Sequence, residues 1–347
     1  MMAVTGGRLS QVRGTRSQFC GSDLAEPGGK AEHAVMTVRT PQVWLPAQFA
    51  DLTDLPPGLE YARWDGRSAF PSDPAEVEFY APPLTKDIDV IGRPLPRMTR
   101  LRAVQALSSG TDELRAELDR LPRPVTLCNA GAAPAPSTAE LALALILASL
   151  RGIPESVRAQ DGGAWRPEVF PSLYGRSVLI VGYGAVGSAL EDLLVPFGCA
   201  VTRVAGTDRD APRGPVRSAA HLPRLVADAD VVVLSVPLTP QTRQLFDAGM
   251  LAGMKDGALL VNVARGAVVD TDALLKETHE GRLRAALDVT DPEPLPPGHP
   301  LRETPGVLIT PHVGAFTSSL WPRLEQLIRR QLRRFAAGEE LANIVSR

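Results

Sequence analysis

An α/β fold built on a doubly wound parallel sheet is what this chain predicts, and three observations predict it. Short apolar, β-branched runs alternate with helical segments from Ser177 to Ile309, the pattern of parallel strands covered on both faces. A G-x-G-x-x-G run closes one of those strands and opens a helix. A length of 347 residues exceeds what a single core serves, so a second domain is expected; 44% apolar and 22% charged residues fit an ordinary globular chain.

Residues 1–36 hold Gly, Ser, Arg and Gln without periodicity and no apolar run of the kind a secretory signal needs, which predicts a disordered tail. Met36 directly precedes the first strand-like run and offers an alternative translation start. From there to about Ala135, extended runs at Gln42 to Leu45, Leu59 to Trp64, Val77 to Tyr80 and Arg102 to Leu107 alternate with polar, proline-rich stretches, which predicts a small α/β unit. Ser137-Thr138-Ala139-Glu140 has the form of a capping box, with Ser137 as N-cap of a helix running to about Arg151. Strands are predicted at Ser177 to Val181, Ala200 to Val204, Val231 to Val236, Ala258 to Val263, Ala285 to Val289 and Val307 to Ile309, with a helix at Ser188 to Val195. Arg323 to Ala337 reads as an amphipathic helix that packs back on the first domain.

Composition excludes several function classes. The net charge is -2 and the arginines are scattered, which argues against a nucleic-acid partner. Cys20, Cys128 and Cys199 are odd in number, far apart and without C-x-x-C spacing, so neither a disulfide framework nor a metal site is indicated and a reducing cytoplasm is expected. The longest apolar run, Leu141 to Leu150, falls short of the roughly 20 residues that span a bilayer, so no membrane span is expected.

The glycine run is Val178-Leu179-Ile180-Val181-Gly182-Tyr183-Gly184-Ala185-Val186-Gly187. Gly182 permits the tight turn, Gly184 lets backbone approach a pyrophosphate, and Gly187 lets helix pack on strand, while the helix N-terminus attracts the anion. A NAD-selective site places an acidic residue about 20 residues on. Ala205 stands there instead, with Asp208 three residues further and Arg203 and Arg209 flanking the loop. An arginine fork there would pair with a 2′-phosphate, and Arg203 and Arg209 each have two readings, phosphate ligand or solvated surface. NAD(P) is therefore the expected coenzyme, with a slight lean to NADP.

Three stretches beyond that loop supply a cation, a carboxylate and an imidazole in order: Val261 to Gly266, Leu287 to Leu295 and Ile309 to Gly314. Together with Pro237-Leu238-Thr239-Pro240-Gln241-Thr242, they resemble the D-isomer-specific 2-hydroxyacid dehydrogenase family, over roughly Leu101 to Thr317. The resemblance implies a smaller flavodoxin-like substrate domain made from residues 37–135 and 315–347, an inserted Rossmann-type domain over 136–314, an active site in the cleft between them, and a homodimer. It makes Arg265 the substrate-binding cation, Glu293 the partner of the catalytic histidine and His312 the acid/base. It places Asp288 near the nicotinamide carboxamide and Ala264 on the nicotinamide wall, and assigns Val236, Pro237, Thr242, Val263, His312 and Gly314 to the coenzyme site. In Ser108-Ser109-Gly110-Thr111-Asp112, it makes Ser109 and Gly110 a loop that holds the substrate carboxylate.

The chemistry needs such a trio. Hydride delivery to C2 of a 2-oxo acid builds negative charge on the C2 oxygen, so a proton donor must stand beside it. Histidine suits the task because its ordinary pKa, about 6.5, lies near physiological pH. A carboxylate at the ring favours the imidazolium and fixes its tautomer, and an arginine grips a carboxylate bidentately. The expected activity is reversible reduction of a small 2-oxo acid, glyoxylate, hydroxypyruvate or longer, to a D-2-hydroxy acid. The alternative is a non-catalytic dinucleotide sensor on the same fold, which the complete trio disfavours. Formate dehydrogenases that resemble this family carry Gln where this chain has Glu293, which disfavours that chemistry. His221, His279 and His299 lack such company, and His33 lies in the expected tail. The substrate's side-chain end is not legible, since the pocket loops precede Arg100 and the segment after Gly314 departs from the family pattern at Phe316.

Overall fold

Continuous apolar strands and short turns produce two separate sheets in the computed structural model, which describes residues 39–85 and 87–345. The tail expected over residues 1–36, with Met36 as an alternative start, lies outside those residues. The smaller sheet contains β1 (Gln42–Pro46), β2 (Glu60–Trp64), β3 (Val77–Tyr80), β4 (Ala103–Gln105) and β5 (Thr126–Cys128), all parallel, in the order β2-β1-β3-β4-β5. That is the flavodoxin-like order.

The larger sheet contains β6 (Ser177–Val181), β7 (Ala200–Ala205), β8 (Arg209–Ala211), β9 (Gly214–Ser218), β10 (Val231–Leu234), β11 (Leu259–Asn262), β12 (Arg284–Leu287) and β13 (Val307–Ile309). Its order is β13-β12-β11-β10-β6-β7-β9-β8, parallel except for the antiparallel β8–β9 hairpin at one edge. From β9 through β6 to β12 it has the doubly wound 3-2-1-4-5-6 arrangement of a Rossmann sheet.

The strand sequences explain the layering. Successive side chains of a strand point to opposite faces, so a continuous apolar run feeds two cores. Val178 and Ile180 join Val231, Val233, Leu259 and Val261 in one core, while Leu179 and Val181 join Val232, Leu234 and Leu260 in the other. Of the helices, α1 (Ile88–Gly92) and α2 (Asp112–Asp119) serve the small sheet, and α3 (Ala135–Leu150) covers the first of these cores with Ala139, Ala142 and Ile146. It is followed by α4 (Ile153–Asp161), α5 (Ala185–Leu194), α6 (Leu222–Leu225), α7 (Ala248–Ala252), α8 (Thr271–His279) and α9 (Leu320–Ala337). As its amphipathic pattern predicts, α9 returns to the small sheet and packs Leu324, Ile328 and Leu332 against Val43, Leu45 and Phe79. Among the described residues, no single helix is long and apolar enough to cross a membrane, and no group of His, Cys, Asp or Glu is arranged to hold a metal ion.

Three local readings are corrected. Ser137 is not an N-cap: α3 begins at Ala135 behind Pro134, because the fixed φ of Pro134 and Pro136 suits a first helical turn. The Ser137 side chain is buried and its Oγ lies 2.7 Å from Thr317 Oγ1, so it joins the two chain segments that cross between the sheets. Strand β5 and the β8–β9 hairpin were not expected, being short and, in the hairpin, largely polar.

One ion cluster anchors the N-terminal edge of the large sheet. Asp230, immediately before β10, accepts from Lys255 Nζ at 2.7 Å and from the Ser177 amide and hydroxyl at 3.0 Å each. Burial opposes its ionisation, but Lys255 and Ser177 outweigh that and hold its carboxyl at about 2. A carboxyl held there, against about 3.9 in the unfolded chain, contributes on the order of 2 kcal/mol. Because the folded value is depressed, this stability is present above about pH 4 and is lost as the pH falls toward 2. Urea midpoints should therefore show Asp230→Asn less stable by about 2 kcal/mol at pH 7, the gap narrowing below about pH 4; a gap independent of pH would contradict this.

Candidate active site

Parallel strands deliver their C-terminal loops to one edge of a sheet, and in an open α/β sheet ligands bind at that edge. The adjacent strands β11, β12 and β13 send out the loops bearing Arg265, Glu293 and His312, on the same edge as the glycine loop after β6.

The glycine loop has the geometry its sequence predicts. Gly182 has φ +101°, and a Cβ there would lie 2.5 Å from the Ser235 carbonyl carbon, so only glycine fits. A Cβ at Gly187 would stand 2.8 Å from Gly182 O and 2.9 Å from Ile180 Cγ2, where α5 crosses β6. Around Gly184, just before Ala185 and Val186 in the first turn of α5, a Cβ would meet nothing within 4 Å. The loop thus leaves open space at a helix N-terminus, and these residues fit a dinucleotide pyrophosphate. After β10, Val236 and Pro237 lead into a turn closed by Thr242 Oγ1, which donates to Pro237 O at 2.6 Å.

Arg203 requires a correction. It is not a solvated surface residue, and a carboxylate already holds its guanidinium. Its guanidinium is turned under α5, where Nε donates to Glu191 Oε2 at 2.8 Å and Nη2 donates to Glu191 Oε1, and both side chains are nearly buried. Tyr183 completes the cluster, its hydroxyl donating to Glu191 Oε2 at 2.5 Å. The physical reason is alternation along β7, which turns Arg203 toward α5, where the Glu191 carboxylate is nearly buried and needs a cation beside it as well as the Tyr183 hydroxyl. Arg209 remains exposed at the mouth of the loop and donates to Tyr183 O at 2.5 Å.

The histidine loop is built around Asp288, which is buried at the end of β12. Its carboxylate accepts from Thr310 Oγ1 at 2.6 Å and from the amides of Val313 and Gly314 at 2.9 Å each. These bonds bracket His312 and hold it at φ +55°, a left-handed conformation that costs a non-glycine residue on the order of 1 kcal/mol. Such a conformation persists only where the surroundings fix it, and Asp288 does so. His312 Nδ1 lies 2.6 Å from Glu293 Oε1. With Nδ1 donating to the carboxylate, Nε2 is the ring nitrogen left to exchange a proton with a ligand.

The arginine loop is stapled by Asn262, whose Oδ1 accepts from the Ala264 amide and whose Nδ2 donates to Arg265 O, both at 3.0 Å. Gly266 passes so near the next loop that a Cβ there would overlap the Thr290 carbonyl, tying the Arg265 loop to the segment bearing Glu293. Arg265 Nη1 donates to Ala264 O at 2.7 Å, and Nε to Asp112 Oδ2 at 3.2 Å. Its Nη2 lies over Gly110, where any Cβ would overlap it. The structure therefore brings Arg265 to the predicted Ser109–Gly110 loop, which is held by Ser109 Oγ donating to Gly131 O at 2.9 Å and Asn129 Nδ2 donating to Ser109 O at 3.0 Å. Sequence reasoning missed Asn129, Glu191 and the partner role of Asp112; only Asp112 had a signal, standing inside the quoted loop motif.

Comparison with known proteins decides the family. The family model for the D-isomer specific 2-hydroxyacid dehydrogenase, NAD binding domain, matches residues 143–314, and a glyoxylate reductase of Aeropyrum pernix is 33% identical over 265 residues, 73% of this chain and 78% of its own. The chain belongs to the D-isomer specific 2-hydroxyacid dehydrogenase family. A D-3-phosphoglycerate dehydrogenase of Methanocaldococcus jannaschii is 31% identical over 260 residues, 73% of this chain, which spans about half, 49%, of that relative's length. The crystal structure of a family member from Xanthobacter autotrophicus Py2, in complex with NADPH and MES, is similar at a TM-score of 0.74 and 30% identity, covering 88% of this chain and 98% of the other. Membership makes the chain an NAD(P)-dependent oxidoreductase of the 2-hydroxyacid dehydrogenase class.

Proposed function

We propose that this enzyme reduces a small 2-oxo acid to its D-2-hydroxy acid, with His312 as acid/base, Glu293 as its carboxylate partner and Arg265 with the Ser109–Gly110 loop binding the substrate carboxylate. The observation that carries this reading is the 2.6 Å pair between Glu293 and His312, on the sheet edge where Arg265 meets Gly110. Bound nicotinamide supplies the hydride. Gly182 to Gly187, Val236, Pro237, Thr242, Val263, Ala264, His312 and Gly314 would hold the coenzyme, with Asp288 near the nicotinamide carboxamide while its carboxylate also fixes the His312 loop. Arg265 grips the substrate carboxylate, His312 gives its Nε2 proton to the C2 oxygen as charge builds there, and Glu293 stabilises the imidazolium before transfer. A panel of 2-oxo acids assayed with NADH and with NADPH, following absorbance of the reduced nicotinamide, tests this. Coenzyme binding without turnover of any 2-oxo acid would favour the dinucleotide sensor instead.

We further propose NADPH as the preferred coenzyme, with Arg209 rather than Arg203 as the 2′-phosphate ligand, since Arg209 is exposed beside the glycine loop and Ala205 supplies no competing carboxylate. Arg209→Ser should weaken 2′,5′-ADP binding about tenfold and leave 5′-AMP binding unchanged, as measured by calorimetry. Equal losses for both would contradict the assignment.

The division into a substrate domain, 37–135 with 315–347, and a nucleotide domain, 136–314, is likewise our proposal, supported by separate cores on the two sheets. So is a homodimer, for which the uncovered apolar side chains Trp165, 95% exposed, and Val169, 102% exposed, on the segment between α4 and β6 offer a contact. The free thiols Cys128 and Cys199 support a reducing cytoplasm, and the net charge of -2 supports a small-molecule rather than nucleic-acid partner.

A further inference from the structure

We propose that Asp112 is a positioning residue for the substrate-binding arginine, holding the Arg265 guanidinium across the gap between the two sheets in the orientation that receives a 2-oxo acid. This rests on the proposed role of Arg265 and adds a residue to it.

Asp112 opens α2 on the small sheet, whereas Arg265 follows β11 of the large one, so their ion pair joins loops from opposite sides. A carboxylate in the first turn of a helix is favoured by the helix dipole, so Asp112 stands where an anchoring carboxylate is well placed. The guanidinium has five N–H donors in a rigid plane. Its Nε donates to Asp112 Oδ2 at 3.2 Å and its Nη1 to Ala264 O at 2.7 Å, so two edges of the plane are tied. Nη2 is left facing Gly110, beside the backbone assigned to the substrate carboxylate. The Ala264 bond comes from Arg265's own loop and fixes it only locally. Asp112 is the contact from the other side, and without it the side chain is free to rotate away from Gly110. A planar, bidentate grip on a carboxylate depends on such preorganisation.

The test measures oxamate, a non-reacting 2-oxo acid analogue, binding to the NADPH-loaded enzyme, together with steady-state kinetics for the best 2-oxo acid of the panel. Asp112→Asn should raise the oxamate Kd and the KM about tenfold, with a much smaller change in kcat, and Asp112→Glu should recover most of the loss. NADPH Kd and thermal midpoint should stay at wild-type values, which separates loss of positioning from loss of fold. Wild-type oxamate affinity in Asp112→Asn, or an equal fall in kcat without a rise in KM, would overturn the proposal. If the wild-type enzyme itself neither bound oxamate nor reduced any 2-oxo acid, the underlying functional reading would fail, an outcome distinct from an active wild type with an indifferent Asp112 variant.

Discussion

Replacing His312 with alanine should lower turnover of the 2-oxo acid by about a hundred- to ten-thousandfold while leaving NADPH binding within about twofold. The size of the effect follows from the chemistry. As hydride arrives at C2, the oxygen becomes an alkoxide, and without a positioned donor its proton must come from water. The small effect on coenzyme follows from the structure, because the glycine loop is shaped by Gly182, Gly187 and Ser235 and owes nothing to the imidazole. Glu293→Gln should give a smaller loss, since an amide still bonds Nδ1 but no longer neutralises the imidazolium. Stopped-flow measurement of hydride transfer, beside NADPH titration of each variant, checks both. Unchanged turnover in His312→Ala would remove the acid/base role.

The second large effect is expected at a residue that carries no chemistry. Gly266→Ala should destabilise the protein by about 1 to 3 kcal/mol and lower kcat/KM by about a hundredfold. Its new Cβ would overlap the Thr290 carbonyl, which is backbone and cannot rotate aside. The strain can be relieved only by parting the Arg265 loop from the segment that carries Glu293, so one methyl group disturbs both the carboxylate grip and the histidine's partner. Urea unfolding and steady-state kinetics read the two effects separately. A stable variant with normal kcat/KM would mean that this backbone contact does not hold the site together.

Much of this was legible in the sequence because it depends on local pattern. Apolar runs such as Val231 to Leu234 could only be strands buried on both faces, and the glycine run announced its strand and helix. Residues as distant as Arg265 and His312 were legible as one site only through the ordered motifs of the family resemblance; the structure shows that parallel topology gathers their strand-end loops on one edge. Long-range pairing was not legible. Nothing in the sequence indicates that Glu191 on α5 captures Arg203 on β7, because the pairing depends on how helix packs on sheet, and so the arginine was read as a phosphate ligand or a surface residue. The same holds for Asp112 and Arg265, which are 153 positions apart. Ser137 was misread because a local capping motif competed with two prolines that start the helix earlier, and the prolines won.

The account stands on the convergence of guanidinium, carboxylate and imidazole on one substrate. A crystal structure of the enzyme with NADPH and oxamate tests that directly. It should show the oxamate carboxylate on Arg265 and the Ser109–Gly110 amides, with the keto-like oxygen within hydrogen-bond distance of His312 Nε2 and Glu293 still on Nδ1. Oxamate bound away from Arg265, or an imidazole turned from it with the Glu293 bond broken, would contradict the account.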